Sequence, residues 1–176
     1  TSKPDGSDLQ RLTDYGTYTG EGIVSPDGQS IVFTSLKDGD LDIYTMNIDG
    51  TNVKRLTNTP GYDGGPWWSP DGTKIVYRAH HPKDATELAE YQALLGKKMI
   101  RPSKVELFVM NADGSEQTQI TNLGGANFGP SWTPDGKRII FSSNHTNPRS
   151  RNFDLYVINL DGTGLEQVTT HGEFDG

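Results

Sequence analysis

The tetrapeptide Ser25-Pro26-Asp27-Gly28 points to the architecture of this chain, because it recurs at 69–72 and, with Thr in place of Ser, at 133–136. A second turn, Asn47-Ile48-Asp49-Gly50-Thr51, alternates with the first and returns in variant form at 111–115 and 159–163. Both turns place Pro or Asp where a hairpin turn begins and Gly where the main chain needs a positive φ. A repeat of this kind indicates stacked units, since one unit alone cannot bury its own apolar faces.

The turns divide each repeat into four short strands of an antiparallel sheet. Inner strands are predicted at 22–25, 67–69 and 131–133, and fourth strands at 53–57, 117–121 and 165–169. In the first repeat the second strand is predicted at 30–35 and the third at 42–47. The second strands are apolar at consecutive positions (31–33, 75–77 and 139–141), which indicates that both of their faces are covered. Four-stranded sheets packed face to face around an axis form a β-propeller. A flat sandwich is the alternative all-β fold, but it would not require so regular a period.

The repeat also resembles a known family. Trp68-Ser69-Pro70-Asp71-Gly72, followed by Ile75 and Tyr77, and the segment from Asp42 to Thr57, containing Asp-Ile-Tyr-Thr-Met-Asn and ending in Leu-Thr, are similar to the WD40-like repeat of TolB and its relatives. The Gly-His and Trp-Asp pairs of ordinary WD40 repeats do not stand at the corresponding places. The resemblance implies a propeller in a periplasmic or secreted protein. Full-length TolB proteins carry six blades and an additional N-terminal domain.

The spacing of the turns predicts one domain over residues 1–176. We expect the outer part of a blade at 1–13, complete blades at 14–57, 58–121 and 122–169, and the start of another blade at 170–176. Closed propellers have about four to eight blades, so three blades leave two open faces. We therefore expect either a homodimer, in which two copies meet head to tail in a six-bladed ring, or a fragment of a longer protein.

The composition disfavours several classes of function. The formal net charge of −7 and the pI near 5.0 disfavour nucleic-acid binding, which requires a basic surface. No apolar run is long enough to predict a membrane span. The chain contains no cysteine, which excludes disulfides and thiolate metal ligands.

One insertion interrupts the repeat. The segment 77–107 is much longer than its counterparts 33–43 and 141–155, and we place the insertion at 80–104. Asp84 and Glu87 have the spacing of a capping box, and Gly96 can end a helix, so we predict a helix over 84–95. Three apolar residues share one face of it: Leu88, Tyr91 and Leu95. The insertion is either a packing flap or a lid over a ligand.

The topology predicts where a ligand binds. Connections after second and fourth strands emerge on one face of such a sheet, and the Pro-Asp-Gly turns emerge on the other. The first face surrounds the mouth of the central channel, where propellers bind their ligands. We expect all four histidines to lie in connections on this face. The predicted ligand-binding residues are Tyr62, Asp63, His80, His81, Asn127, Phe128, His145, Asn147, Arg149 and His171.

These residues favour a non-catalytic module that binds a protein or a small polar ligand without a cofactor. Two enzymatic alternatives remain. Oligogalacturonate lyases resemble TolB-like propellers and bind a metal at the channel mouth, and the histidines with Asp63 could hold zinc or manganese, although none has the spacing that preorganises a pair. Similar repeats also form the propeller domain of prolyl-oligopeptidase-type peptidases. The catalytic Gly-x-Ser-x-Gly motif is not found in this sequence.

Two further patterns have structural interpretations. Asp38, Asp40 and Asp42 alternate as in a calcium loop, but the position of Asp42 recurs as Glu106 and Asp154 at the start of each third strand. This recurrence favours a hydrogen bond inside each blade. Tryptophans on the inner strands could stack on a sugar, but we expect them to fill the space between blades: Trp67, Trp68 and Trp132.

Overall fold

The computed structural model of this chain describes residues 1–101, 104–171 and 174–175. In these residues three four-stranded antiparallel sheets follow one another, each with its strands in sequence order. The first sheet consists of β1 (Thr19–Val24), β2 (Ser30–Ser35), β3 (Asp42–Asn47) and β4 (Lys54–Arg55). The second consists of β5 (Tyr62–Trp68), β6 (Lys74–His80), β7 (Glu106–Asn111) and β8 (Thr118–Gln119). The third consists of β9 (Asn127–Trp132), β10 (Arg138–Ser143), β11 (Asp154–Asn159) and β12 (Glu166–Gln167).

The Pro-Asp-Gly turns owe their recurrence to a closed set of hydrogen bonds. The Ser25 hydroxyl donates to Asp27 Oδ1 over 2.5 Å and accepts the Ser30 N–H over 2.9 Å. Gly28 follows with a φ of +72°, a conformation that favours glycine. The same bonds join Ser69 with Asp71 and Thr133 with Asp135. The turn therefore needs a hydroxyl, an aspartate and a glycine at fixed spacing, which is the observed repeat.

The sheets stack as propeller blades, which confirms the predicted all-β propeller fold. Strand β5 contacts β1, β2 and β3 of the first sheet, and β9 contacts β5, β6 and β7 of the second. Two apolar cores fill the junctions, with Val32 of the first sheet beside Ile75 of the second, and Val76 of the second beside Ile139 of the third. The indole nitrogens of Trp68 and Trp132 donate to main-chain oxygens of the preceding blade, each over 3.1 Å. These two tryptophans fill the space between blades, as predicted, but the Trp67 side chain is 44% exposed, so the prediction is wrong for Trp67.

A second contact recurs where each fourth strand meets the Asp-Gly turn of the next blade. A Cβ atom at Gly114 would lie 2.9 Å from the main-chain oxygen of Leu56, and one at Gly162 would lie 2.9 Å from that of Ile120. Both glycines also have a positive φ. A side chain at either position is therefore disfavoured both by the close approach of the main-chain oxygen and by the backbone conformation. Leu12 lies against Gly50 in the same way, at 3.1 Å. Leu12 therefore takes the place of a preceding fourth strand against the first sheet.

The strand boundaries correct the sequence prediction at the inner and outer strands. The inner strands begin earlier than predicted and contain a bulge, seen as a register shift between Gly20 and Ile23 and between Gly64 and Trp67. A glycine-rich segment typical of turns is thus part of a bulged strand. The fourth strands are shorter than predicted, with two residues each.

The bulge also moves predicted site residues out of connections. Tyr62 and Asp63 belong to β5, and Asn127 and Phe128 belong to β9. His80 is the last residue of β6, so the prediction that all four histidines lie in connections is wrong for this one. Strands β5 and β9 extend further toward the predicted ligand-binding face than their apolar residues alone indicated, because their pairing with the second strands resumes beyond the bulge.

The inserted helix forms as α1 (Ala85–Leu95) between β6 and β7. Asp84 caps it by accepting the N–H groups of Thr86 and Glu87, but the Glu87 carboxylate accepts the N–H of Lys83 rather than that of Asp84. Gly96 ends the helix in a right-handed conformation, and the left-handed residue is Lys98, with a φ of +59°. The predicted insertion 80–104 includes residues 102 and 103, which lie outside the described residues, as do 172, 173 and 176 of the predicted further blade.

The predicted apolar face of α1 packs against the propeller. Tyr91 is buried, and Leu88 and Leu95 pack in the same cluster with Leu41 and Val105. The Tyr91 hydroxyl donates to Asp40 and lies 2.9 Å from the main-chain oxygen of Gly61, which joins the insertion to the first two blades. None of the helical segments in the described ranges has the length and apolarity needed to cross a membrane.

Candidate functional site

A cross-blade cluster of polar and aromatic side chains lies on and beside the inner strands β1, β5 and β9. We call it the central cluster, and it consists of Tyr18, Glu21, Tyr62, Arg78 and Phe128. Glu21 occupies the bulge of β1 with a φ of +56°, whereas the corresponding bulge residues of β5 and β9 are Gly65 and Gly129, with φ of +60° and +56°. A non-glycine residue in this conformation stores strain, which the surroundings must offset.

The carboxylate of Glu21 supplies that compensation by linking two blades. It accepts the Thr34 hydroxyl over 2.8 Å within its own blade. From the next blade it accepts the Gly65 N–H over 2.8 Å and an Arg78 Nη2 proton over 2.6 Å. Hydrogen bonds to a charged group each contribute roughly 1.5–3 kcal/mol, which is of the same order as the cost of one strained residue, about 1–3 kcal/mol.

Arg78 connects Glu21 to the aromatic side of the cluster. Its Nε donates to the Tyr62 hydroxyl over 2.7 Å. The guanidinium carbon lies 5.8 Å from the centre of the Tyr62 ring and 5.4 Å from that of Phe128, within cation–π range. Burial raises the pKa of Tyr62 to about 12, so this hydroxyl stays protonated at neutral pH.

A cleft of about 570 Å³ opens beside the central cluster. Its polar lining residues include Tyr18, Glu21, Tyr62 and Arg78. Its apolar lining residues are Leu36, Leu41, Leu95 and Ile100, of which the last two belong to the insertion. A largely apolar wall with a few fixed polar groups is the usual composition of a ligand pocket.

The predicted residue His81 pairs with the predicted residue Asp63. His81 Nε2 lies 2.9 Å from Asp63 Oδ1, and its ring lies 5.1 Å from that of Phe108. Asp63 is fully buried, and this burial raises the pKa of its carboxyl group. The Thr57 hydroxyl donates to Asp42, and its proximity to Asp63 opposes the rise in the pKa of Asp63. Among the described residues, Asp63 Oδ2 has no hydrogen-bond partner.

His145 takes the equivalent position in the third blade. Its Nδ1 lies 3.2 Å from the Ser143 hydroxyl, and its ring lies 4.6 Å from that of Tyr156. The Ser143 hydroxyl in turn donates to Asn127 Oδ1 over 2.7 Å. Burial lowers the pKa of His145. His81 and His145 therefore each lie on an aromatic side chain of their own blade, which holds them apart.

The remaining predicted residues are more dispersed. His80 lines a small cavity beside Tyr91 of α1, and burial lowers its pKa. Asn147 and Arg149 are exposed, and the His171 side chain is exposed and lies 3.7 Å from Asp175. Across the part of the chain that the structure describes, no three His, Asp or Glu side chains lie close enough together to hold a metal ion.

Three members of the central cluster were missed by sequence reasoning: Tyr18, Glu21 and Arg78. The signal for two of them is a departure from the repeat. Glu21 stands where the other blades have glycine, and Arg78 stands where they have Thr34 and Ser142.

The position of Asp42 confirms its structural interpretation. Its carboxylate accepts an Arg55 Nη2 proton over 2.6 Å and the Thr57 hydroxyl over 3.3 Å. In the second blade Glu106 likewise accepts the Thr121 hydroxyl, over 2.6 Å. These carboxylates join the third and fourth strands within a blade rather than forming a calcium loop.

Comparison with known proteins shows which propellers this chain is similar to. A family model described as the TolB β-propeller domain matches residues 7–84. The structure of TolB from Acinetobacter baumannii superposes with a TM-score of 0.75 over 98% of this chain, at 20% identity. The fold of the chain is that of a TolB-like β-propeller. A putative TolB from Agrobacterium tumefaciens superposes on this TolB-like propeller with a TM-score of 0.61 over 82% of the chain, at 26% identity.

The TolB-like propeller is also similar to part of a peptidase. Dipeptidyl-peptidase 5 of Porphyromonas gingivalis is 51% identical to it over 39 residues, which is 22% of this chain and 6% of that protein. The chain covers 37% of the Acinetobacter TolB and 46% of the Agrobacterium one. It therefore spans less than half the length of each of these proteins.

Proposed function

We propose that this TolB-like propeller is a binding module and that the central cluster with its cleft binds a segment of a protein or a small polar ligand. The observation that carries the proposal is the cleft of about 570 Å³ that Glu21, Tyr62 and Arg78 line together with four apolar side chains. Hydrogen bonds from Arg78 to Glu21 and Tyr62 hold the three side chains in place. Such preorganisation lowers the entropic cost of binding.

The insertion supports a ligand-binding role for this face. Leu95 and Ile100 complete the apolar wall of the cleft, and Tyr91 ties α1 to Asp40. The insertion packs on the propeller and also borders the cleft, which supports the proposal that it acts as a lid. An apolar side chain of the ligand would lie against it while a polar group reaches the central cluster.

Nuclear magnetic resonance of the ¹⁵N-labelled chain tests this proposal. The probe is a mixture of tripeptides with acetylated and amidated ends, which carry no terminal charge. We expect saturable shifts of amide signals from Tyr18, Tyr62 and Phe128. Amides of Gly28, Gly72 and Gly136 in the turns of the opposite face serve as the internal control. Shifts confined to those glycines, or no saturable shift anywhere, would refute the proposed surface.

A second candidate is the propeller domain of a prolyl-oligopeptidase-type peptidase. The local identity with dipeptidyl-peptidase 5 favours it. In that case the catalytic serine would lie in sequence outside residues 1–176, and this propeller would bind or admit a peptide. Sequencing the gene beyond these residues tests the candidate: a hydrolase domain with a Gly-x-Ser-x-Gly motif supports it, and a stop codon or an unrelated domain refutes it.

Assembly with a second copy remains a proposal. Val168 is 53% exposed, whereas Leu56 and Ile120 at the same position of the other blades are buried against the next blade. A head-to-tail homodimer would cover Val168, but Leu12 and Tyr15 already pack on the corresponding face of the first sheet and would have to move. A light-scattering mass of two chains supports the dimer, and the mass of one chain refutes it.

The periplasmic or secreted location is likewise proposed, from the family resemblance alone. Fractionation of cells that express the full gene tests it. Recovery in the periplasm or the medium supports the location, and recovery in the cytoplasm refutes it.

A further inference from the structure

The two blade junctions contain equivalent positions with different chemistry. Counted from the Pro-Asp-Gly turns, Glu21, Gly65 and Gly129 are the bulge residues, and Thr34, Arg78 and Ser142 stand on the second strands. At the first junction the carboxylate of Glu21 accepts both the Thr34 hydroxyl and the Gly65 N–H. At the first junction, one carboxylate therefore accepts hydrogen bonds from both blades.

The second junction has the donors without that acceptor. Its bulge residue is Gly65, which has no side chain, and the Thr34 position is taken by Arg78. A Cβ atom at Gly65 would lie 3.1 Å from the Arg78 guanidinium carbon, so the guanidinium stands where the glutamate side chain begins one blade earlier. The next bulge residue, Gly129, repeats the conformation of Gly65, with a φ of +56° against +60°. A guanidinium and a main-chain N–H thus border this junction, and both are donors.

The surroundings leave room for a ligand. Gly129 is exposed, and a Cβ atom there would meet no other atom within 4 Å. Beside it, a groove of about 220 Å³ is lined mainly by apolar side chains, including Phe128, Ile140 and Phe153. A group bound next to Gly129 could therefore extend an apolar portion along this groove.

We propose that Arg78 and the main-chain N–H of Gly129 bind a carboxylate of the ligand, in the position that the Glu21 carboxylate takes one blade earlier. This inference rests on the proposed function, because it specifies the chemical group that the central cluster recognises. A carboxylate suits the site because a guanidinium and a main-chain N–H both form strong, charge-assisted hydrogen bonds to it. The carboxylate belongs either to a peptide C-terminus or to an acidic side chain.

Three small probes test the inference on the ¹⁵N-labelled chain. N-acetylglycine presents a terminal carboxylate, the α-amide of N-acetylglutamate presents a side-chain carboxylate, and N-acetylglycinamide is the uncharged control. We expect one or both carboxylate probes to shift the amide signal of Gly129 and the Nε signal of Arg78 saturably, and the control to shift neither. The tighter of the two carboxylates identifies the source. An equal response to the control, or no carboxylate response at Gly129, overturns the inference.

Two variants test the roles of Arg78 and Glu21 in carboxylate binding. Arg78→Gln should weaken carboxylate binding by about tenfold or more, the loss of one hydrogen bond to a charged group. Glu21→Gln should strengthen it, because Arg78 then loses its competing carboxylate while the side-chain shape is kept. If Arg78→Gln does not fold, Glu21→Gln and the wild-type titrations decide. Binding that is unchanged or weaker in Glu21→Gln contradicts the inference.

The result also separates this inference from the proposed function. If the uncharged tripeptides shift Tyr18 and Tyr62 while neither carboxylate probe shifts Gly129, the carboxylate inference fails and the binding surface stands. If neither kind of probe shifts the central cluster, both fail.

Discussion

The indole nitrogen of Trp132 lies 3.1 Å from the main-chain oxygen of Trp67, one blade earlier in the chain. Trp68 makes the same bond to Ile23. Each indole thus fastens an inner strand to the preceding blade, and its ring fills the core between the two sheets. Val24 holds this position in the first blade and is half-exposed. The contact therefore defines a blade junction.

Replacing Trp132 should loosen one junction. Trp132→Phe removes the donor and leaves a cavity in a core where Trp132 is 8% exposed, so we expect the free energy of unfolding to fall by about 1–3 kcal/mol. Trp67→Phe is the matched control, because the Trp67 side chain is 44% exposed, and it should change the value by less than about 1 kcal/mol. Urea denaturation measures both. Equal losses in the two variants would contradict the assigned role.

Ala79 offers a place to add a missing hydrogen bond. In the third blade Ser143 lies opposite Asn127 and donates a hydrogen bond to it. In the first blade the equivalent residues, Ser35 and Thr19, also share a hydrogen bond. In the second blade Ala79 lies opposite Asp63 and has no hydroxyl to donate. Ala79→Ser should therefore satisfy Asp63 Oδ2 and raise the free energy of unfolding by about 1 kcal/mol. Ala126→Ser, a buried control in the third blade, should destabilise the protein. Equal destabilisation by both substitutions in thermal melts would refute the argument.

Asp42 should make stability depend on pH. Burial raises its pKa from 3.8 to about 6, despite the ion pair with Arg55. The folded state therefore binds this proton more tightly than the unfolded state, and the contribution of Asp42 to stability falls as pH rises from 3.8 to about 6. Burial lowers the pKa of His80 and His145, so these histidines act in the opposite direction, and their contribution falls as pH decreases below 6.5.

Asp42→Asn isolates the first effect, because both histidines remain. We expect the difference in free energy of unfolding, wild type minus variant, to fall between pH 4 and pH 6 by about 1.4 kcal/mol for each unit of the pKa shift. Urea titrations at intervals of half a pH unit measure it. Parallel profiles for the two proteins would contradict the raised pKa.

Tyr91 should control the opening of the insertion. Tyr91→Phe removes the hydroxyl that donates to Asp40, so we expect faster hydrogen exchange in Ala85–Leu95. Amides of β10, in the third sheet, provide the internal control and should keep their exchange rates. Unchanged exchange in the helix would show that apolar packing alone holds the insertion in place.

Much of the fold could be predicted because its turns are local. The bounds of β2 and β3 were predicted as the structure has them, since each is bordered by a Pro-Asp-Gly or Asp-Gly turn whose bonds span a few residues. The helix was predicted from Asp84 and its apolar face for the same reason. The inner strands were predicted too short, because a segment such as Gly64-Gly65-Pro66 is typical of a turn and here forms a bulge.

The candidate site was less accessible to sequence reasoning. Glu21 and Arg78 are 57 residues apart, and their contact depends on how one blade lies against the next, which no local pattern encodes. The histidines were predicted to share a face, but the face alone does not set their distance. His81 pairs with Asp63 and His145 with Ser143, each within its own sheet.

The central claim is that stacked blades assemble the central cluster, and a double-mutant cycle between Glu21 and Arg78 tests it most directly. The side chains of Glu21 and Arg78 are 29% and 20% exposed, and their charged groups lie 2.6 Å apart. We therefore predict a coupling energy of roughly 1–3 kcal/mol, measured by urea unfolding of Glu21→Gln, Arg78→Met and the double variant. Glu90 and Arg101 are the control pair, exposed and 3.8 Å apart, with a predicted coupling of less than about 1 kcal/mol. A coupling for Glu21 and Arg78 no larger than that of the control pair would contradict the account.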